Sequence, residues 1–496
     1  MALIPLDIPA GFYRNGTDLE QSGRWRDGSL VRWRDNSLRP IGGWRERKTS
    51  FSTDPVRGMH TWEANNGNAW LVGGSHSELK VMAGGGTLTD ITPSDLATGR
   101  EDAAANTGFG GGTYGSGYFG QPIQANDDSV LQEATTWSLD NWGEYLVACH
   151  YDDGRLLEWQ LDTATNAAAI SNAPTSNLGL VVTEERFIFA LGAGGNSRKV
   201  QWCDFEDNTT WTPSTTNQAG SQELQTSGQI MQGIRTRGQT LIITDVDAFA
   251  ARYSGPPYVY AFQRVGTSCG SISRKSAADV DIGVFWMGQR GFFRFDGNNV
   301  SEIPCDVHDY VFGDFNVAQQ SKVWAVANGQ YGEIWWFYCS ANSTEIDRYV
   351  AFDYKENHWL IGDLSRTSGV PRGVFRYPFM AGHDADSDIY DHEVGYNFDS
   401  ANVFAESGPI RIGSGDQVAR VTSLVPDERT QGDVSVTFKT RLYPNGAETT
   451  HGPFTPANPT DVRFTGRQMR MRVEGNQPTD WKVGDMRVDV TAGGRR

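Results

Sequence analysis

A few stretches of this chain carry residue types at spacings that elsewhere support catalysis or ligand binding. Gly266-Thr267-Ser268-Cys269-Gly270 has the GxSxG spacing of a nucleophile elbow, whose serine must sit on a sharp strand-to-helix turn beside a base. Residues 271–281 show no amphipathic helical pattern before the next apolar run, so the stretch reads as a glycine-rich connection. Gly110, Gly112 and Gly115 have GxGxxG spacing, but a dinucleotide site needs a strand before it and a helix after it, and neither pattern is present. His383-Asp384-Ala385-Asp386-Ser387-Asp388, with Asp391-His392-Glu393 beyond it, offers alternate carboxylates to a cation. The calcium-loop pattern fails there, because Ile389 stands where the turn glycine belongs and Gly395 where the bidentate glutamate belongs. A solvated hairpin loop is the expectation. Asp384, Asp386 and Asp391 are also the candidate carboxylates for a glycosidase, which needs two of them about 5 to 10 Å apart across a sugar.

Charge narrows the classes further. The formal net charge is −17; residues 1–50 carry +3 and residues 401–496 carry +2, which leaves −22 on residues 51–400. So acidic a body does not hold nucleic acid by its phosphates, since that affinity comes from cationic contacts. It suits a solubilising surface, or a wall past which a polyanion slides. The basic exception is N-terminal, where GRWRDGSL from Gly23 is followed by VRWRDNSL from Val31. Arg24, Arg26, Arg32, Arg34 and Arg39 alternate with Trp25, Trp33 and Leu38, the period of a strand with one wet face and one dry. Each copy ends in an expected turn pair, Asp27-Gly28 and Asp35-Asn36. Such a ribbon can bind phosphates, stack on bases or pack on an acidic neighbour. The acidic body of the same chain makes the last the expectation, with the ribbon closing the repeat domain or docking on a neighbouring copy.

Cys149, Cys203, Cys269, Cys305 and Cys339 are far apart, odd in number and free of CxxC pairs. That pattern favours small buried hydrophobes in a reducing compartment over disulfides or zinc. Residues 1–5 have neither a basic start nor a long apolar run, so no secretory signal is expected. The N-x-S/T triplets at Asn15, Asn208 and Asn342 then carry no meaning. No catalytic, cofactor-binding or metal-binding residue is assigned.

The elements that must position these residues are best seen in the stretch 283–303, GVFWMGQRGFFRFDGNNVSEI, which reads as three short strands joined by turns at 288–291 and 296–299. A lone meander cannot bury both faces, so it must stack on further copies. Degenerate copies recur in order. With Leu71, Leu146, Ile188, Ile242, Phe285, Trp335 and Phe379 as equivalent first-strand positions, the steps are 75, 42, 54, 43, 50 and 44 residues. All but the first lie near the roughly 40 to 50 residues of a four-stranded propeller blade. A glycine-rich insert, 103–121, with Phe109, Tyr114, Tyr118 and Phe119 interspersed, accounts for the long first step. It reads as an aromatic loop reaching a partner or a channel.

The expected fold is therefore all-β: an N-terminal ribbon over 1–50, a β-propeller of six or seven blades over 51–400, and a C-terminal β-sandwich over 401–496. The 57 glycines, 16 tryptophans and 24 phenylalanines suit turn-rich sheets with aromatic cores. In the sandwich, Arg470, Arg472 and Arg487 alternate with apolar neighbours and are expected on the outward face.

Taken together, GRWRDGSLVRW with LRPIGGW, TWSLDNWGEYLVA, FWMGQRGFFRFDG with IPCDVHDYVFGDFN, and SGPIRIGSGDQ with KTRLYPNG and GRQMRMRVEG resemble a family of tailed-phage tail proteins, the propeller-bearing nozzle of short-tailed phages. The resemblance spans most of the chain and rests on turns and blade strands. It implies a structural virion protein of the tail, assembled in the host cytoplasm as a ring, typically a homohexamer. Such a ring hangs below the portal and adaptor, carries tail fibres or spikes, and encloses the channel for DNA ejection without binding the DNA specifically. It brings no catalytic residue and no cofactor. The alternative is a receptor- or glycan-binding tail tip, with or without hydrolysis. Against a sialidase-like version, Ser138-Leu139-Asp140-Asn141-Trp142 begins like an Asp box but lacks the Gly-x-x-Trp that completes one.

Overall fold

The computed structural model describes residues 2–105, 131–383, 387–412, 417–427, 433–475 and 477–493. Seven four-stranded antiparallel sheets follow one another along the chain, the first six running in sequence order from first strand to fourth and the seventh doing so for its first three strands. The first strands are Gly58–Glu63, Trp137–Trp142, Gly179–Val182, Ile230–Thr236, Ala277–Val280, Trp324–Asn328 and Arg366–Val370. Each packs beside the first strand of the next sheet, and the seventh packs beside the first. The result is a closed seven-bladed propeller whose inner strands line one axis.

All seven residues chosen from sequence lie on equivalent strands, the second of each blade rather than the first. The reason is burial. A second strand has neighbours on both sides and blades on both faces, so it reads as a continuous apolar run; every residue of Glu333–Tyr338 (EIWWFY) is buried. The inner strands face the axis with polar residues and leave a weaker signal, which is why Ala277–Val280 was not legible before 283–303. Buried tryptophans fasten successive blades by donating their indole N–H across the joint, as Trp137 to Ser75 O at 2.6 Å, Trp336 to Ser276 O at 2.8 Å and Trp324 to Arg366 O at 2.9 Å.

The seventh blade takes its outer strand from the N-terminal segment: Trp44–Lys48 pairs antiparallel with Ile389–His392. Ring closure therefore joins residues that are far apart in sequence, and the outermost strand locks the last blade to the start of the first. The rest of the segment belongs to the sandwich. Ala2–Leu6 is an edge strand of one sandwich sheet, paired with Met486–Ala492, and Trp25–Ser29 is an edge strand of the other, paired with Phe404–Ser407. Between them and the blade strand lies a hairpin, Val31–Arg34 with Ser37–Pro40. Boundaries at 50 and 400 thus divide the sequence, while the sheets themselves cross them.

The two copies in this segment fold differently. Asp35 and Asn36, with φ of 50° and 59°, form the expected tight hairpin turn. Asp27-Gly28 is not a turn; it lies inside a strand, with Gly28 opposite Ala405. Glycine is required there for close approach, since a Cβ would stand 2.3 Å from the Phe12 ring. The reversal comes at Leu30, whose φ is 58° and whose N–H donates to the Tyr349 hydroxyl at 2.9 Å.

The ribbon's dry face is as expected: Leu30, Val31, Trp33 and Leu38 are fully or almost fully buried, joining the core of blades five to seven to that of the sandwich. Each contributes about 1.5–3 kcal/mol relative to exposure. Its wet face is only partly wet, because Arg32 is buried. In the sandwich Arg487 is exposed, but Arg470 is covered by Asp18 at 2.8 Å, and the Arg472 guanidinium stacks 3.6 Å from the centre of the Phe404 ring.

Candidate functional site

The propeller axis is the place where side chains from every blade converge. We call the face at which inner strands begin the upper face. There the axis is closed by polar contacts between blades that are not neighbours. Ala134, at the start of blade two, donates its N–H to Ser321 Oγ at 3.1 Å, at the start of blade six. Ala103 N–H donates to Gln319 Oε1 at 3.0 Å, and between the adjacent blades five and six Ser273 Oγ donates to Val323 O at 2.5 Å. The first two bonds span the axis, so among the described residues the axis is bridged at this end.

Beneath these contacts lies a buried charge group. Arg57 pairs with Glu345, one of its nitrogens at 2.7 Å, and Lys322 approaches the same carboxylate at 3.3 Å while pairing with Asp102. Burial opposes the Glu345 charge, but Arg57 and Lys322 together outweigh it and push the carboxyl down to about 2.

Beside this plug, among the segments that lead into the inner strands of blades two to four, is a cavity of about 600 Å³. Its walls are hydrogen-bonding groups held in place by arginines. Glu133 pairs with Arg274 at 3.0 Å, Asp153 with Arg155 at 2.5 Å, and Asp152 with Arg100. Arg274 also lies 4.2 Å over the Tyr151 ring. Asn177 donates to Gly154 O and Pro174 O, which fixes its amide orientation. Such a surface suits a small polar solute.

Farther down the axis, His60 bonds Asn141 Oδ1 at 3.2 Å and Arg235 approaches Asp140 at 3.8 Å. Lys275 is held down to about 8 by burial, against the pull of Asp140, and burial raises Asp279 to about 6. These groups come from blades one, two, four and five. The lower mouth is a second cavity, of about 520 Å³, lined by Asp279, Asp281, Tyr354, Lys355 and Arg372.

The residues that sequence singled out fall elsewhere. Ser268 is an exposed residue with φ of 54° in the link from blade four to blade five. No helix follows it, so the elbow geometry is missing. Of the insert at 103–121, residues 106–121, with Gly110, Gly112, Gly115 and the aromatics, lie outside the described residues, as do Asp384 and Asp386.

The end of the acidic cluster is not a solvated loop. Asp391 is fully buried and accepts from Arg45 of the outer strand at 2.7 Å. His392 is buried and accepts from Arg366 at 2.9 Å; burial, then the Arg366 charge, holds it well below its ordinary range. Glu393 pairs with Arg32 at 2.6 Å. These residues close the seventh blade. Among the described residues all five cysteines are free thiols, four buried and Cys305 half-buried; burial raises Cys149, Cys203 and Cys339 to about 12. The only metal-capable cluster of three or more His, Cys, Asp or Glu side chains among the described residues is Asp353, Glu356 and His358. Sequence reasoning passed over it because 352–359 was read only as a repeat turn.

No family model and no curated protein matches this chain. Among solved structures it is similar to a virginiamycin B lyase from Staphylococcus aureus, at 8% identity and a TM-score of 0.43 over 70% of this chain and 98% of that one. It is also similar to YCF48 bound to a D1 peptide, at 11% identity and a TM-score of 0.38 over 73% and 99%. PorZ of Porphyromonas gingivalis follows, at 8% and 0.37 over 85% of this chain and 46% of that one. Likeness at this level concerns the propeller fold alone.

Proposed function

We propose that this chain is a structural subunit of a phage tail nozzle, assembling as a closed ring, six copies by the family resemblance, below a portal and adaptor. Genomic DNA passes through the ring without specific binding, and the outer surface carries fibres or spikes. The observation that carries the reading is the join between the two bodies. One N-terminal segment supplies an edge strand to each sandwich sheet and the outer strand of the seventh blade. A subunit built this way keeps its two bodies in one orientation under load, as a conduit requires. Much of the resemblance lies in that segment. Because polar contacts bridge the upper end of the propeller's own axis, the passage in this reading lies between copies. The −22 charge on residues 51–400 then lets DNA slide past without sticking.

Native mass spectrometry and electron-microscopic class averages of the purified chain, alone and with portal and adaptor rings, test this reading. A closed ring with an open centre is expected in at least one condition; a persistent monomer in both overturns it. A second reading, glycan binding at the upper mouth, is favoured by the polar cavity there. A glycan array probed with the purified chain, with a Gln229→Trp variant to fill the cavity, separates the two.

A further inference from the structure

The hairpin between the third and fourth strands of blade six brings two carboxylates and an imidazole together. Asp353 and His358 face each other as a cross-strand pair at the ends of Arg348–Asp353 and His358–Asp363. Glu356 stands in the turn between them. One ligand atom from each of the three lies within 4.8 Å of the others. Asp353 uses Oδ1 to accept from the N–H groups of Lys355 and Glu356, at 2.8 and 2.9 Å. That shapes the turn through one carboxylate oxygen. His358 is only 5% exposed, and its Nε2 is buried without a hydrogen-bond partner. A buried ring nitrogen with nothing to bond is costly and calls for a partner. Glu356 is exposed and bonds the ribbon through Oε1.

We propose that Asp353, Glu356 and His358 bind a first-row divalent cation, with Zn²⁺ the best fit, and that the bound metal clamps blade six to the N-terminal ribbon. Imidazole with carboxylates selects zinc or its neighbours over calcium and magnesium, which prefer oxygen alone. Zinc needs ligand oxygens and nitrogens about 2.0–2.2 Å away. The three ligand atoms, already within 4.8 Å of one another, close on the ion, and water completes the set. The clamp follows from position. Glu356 Oε1 accepts from the N–H of Asp35 at the tip of the ribbon hairpin, at 3.2 Å, and His358 packs edge-on against Trp33 of the same hairpin. Holding Glu356 therefore holds the ribbon.

The test is calorimetric titration of ZnCl₂ into the full chain after chelation, with CaCl₂ and MgCl₂ in parallel. Wild type is expected to take one zinc tightly and neither of the other ions. Glu356→Gln keeps the oxygen that accepts from Asp35 while removing a charged ligand, so it should fold normally and lose more than about tenfold in affinity. Zinc should also raise the unfolding temperature of wild type and leave that of the variant unchanged. X-ray absorption of the zinc-loaded chain should show nitrogen and oxygen ligands. Absence of a stoichiometric site, equal affinity in Glu356→Gln, a calcium preference, or sulfur in the ligand shell each overturns the proposal.

Discussion

Arg32 and Arg57 are both sealed from solvent in the same propeller, yet the first is shared by two carboxylates while the second shares one carboxylate with a lysine. Arg32 lies at the lower face, where the ribbon meets blades six and seven. It pairs with Glu333 at 2.9 Å and Glu393 at 2.6 Å and stacks 3.7 Å from the centre of the Tyr331 ring. Arg57 lies at the upper face with Glu345, and Lys322 stands beside them. The count of charges decides the carboxyl groups. Burial raises Glu333, Arg32 lowers it, and the second carboxylate adds to the rise, which leaves it pushed up to about 7. Glu345 sits between two cations and goes to about 2. Burial is common to both sites, so it is the local balance of charge that sets the direction.

The sharpest way to break this comparison is to remove each arginine. Arg32→Met leaves two glutamates buried without their cation, and removing one partner of such a group costs about 3–5 kcal/mol. Urea unfolding should show a loss of that order, smaller at pH 5 than at pH 8 because Glu333 can take up a proton. Arg57→Met should cost less, about 2 kcal/mol, since Lys322 remains to hold Glu345. Equal losses, or the reverse order, would mean that packing rather than charge governs both sites.

A finer test uses pH. Between the ordinary glutamate value of 4.5 and the folded value of about 7, the folded chain holds a proton at Glu333 that the unfolded chain has lost. That group's contribution is therefore full below 4.5 and is lost as pH rises through 7. Glu345 works the other way: its contribution is full above 4.5 and is lost as pH falls towards 2. At about 1.4 kcal/mol per unit, each group contributes about 3 kcal/mol at most. In urea midpoints measured from pH 3 to 8, Glu333→Gln should flatten the neutral limb and Glu345→Gln the acid limb. If either variant flattens the other's limb, the assignment of charge balance is wrong.

What could be read in advance followed from local periodicity. The second strands of the blades announce themselves because each is buried on every side, and their spacing along the chain shows a repeat. The hairpin at Asp35-Asn36 was legible for a similar reason, since two consecutive residues at positive φ suit that pair. Asp27-Gly28 misled because its glycine answers to a phenylalanine ring brought in by folding rather than to a turn. The acidic cluster ending at Glu393 misled in the same way: nothing local shows that Asp391 and Glu393 will face Arg45 and Arg32, more than 300 residues away in the chain.

By itself, then, the sequence determined the class of strand, the repeat length, the dry face of the ribbon and the inert thiols, all of which depend on patterns within a few residues. Tertiary structure alone decided that the ribbon is divided between two sandwich sheets and the seventh blade. It also decided that the upper axis is bridged by contacts between distant blades, and that the ribbon hairpin packs on the turn holding Asp353, Glu356 and His358. Each of these rests on long-range pairing of strands and charges, and a single sequence carries no period for a partner that lies on another blade.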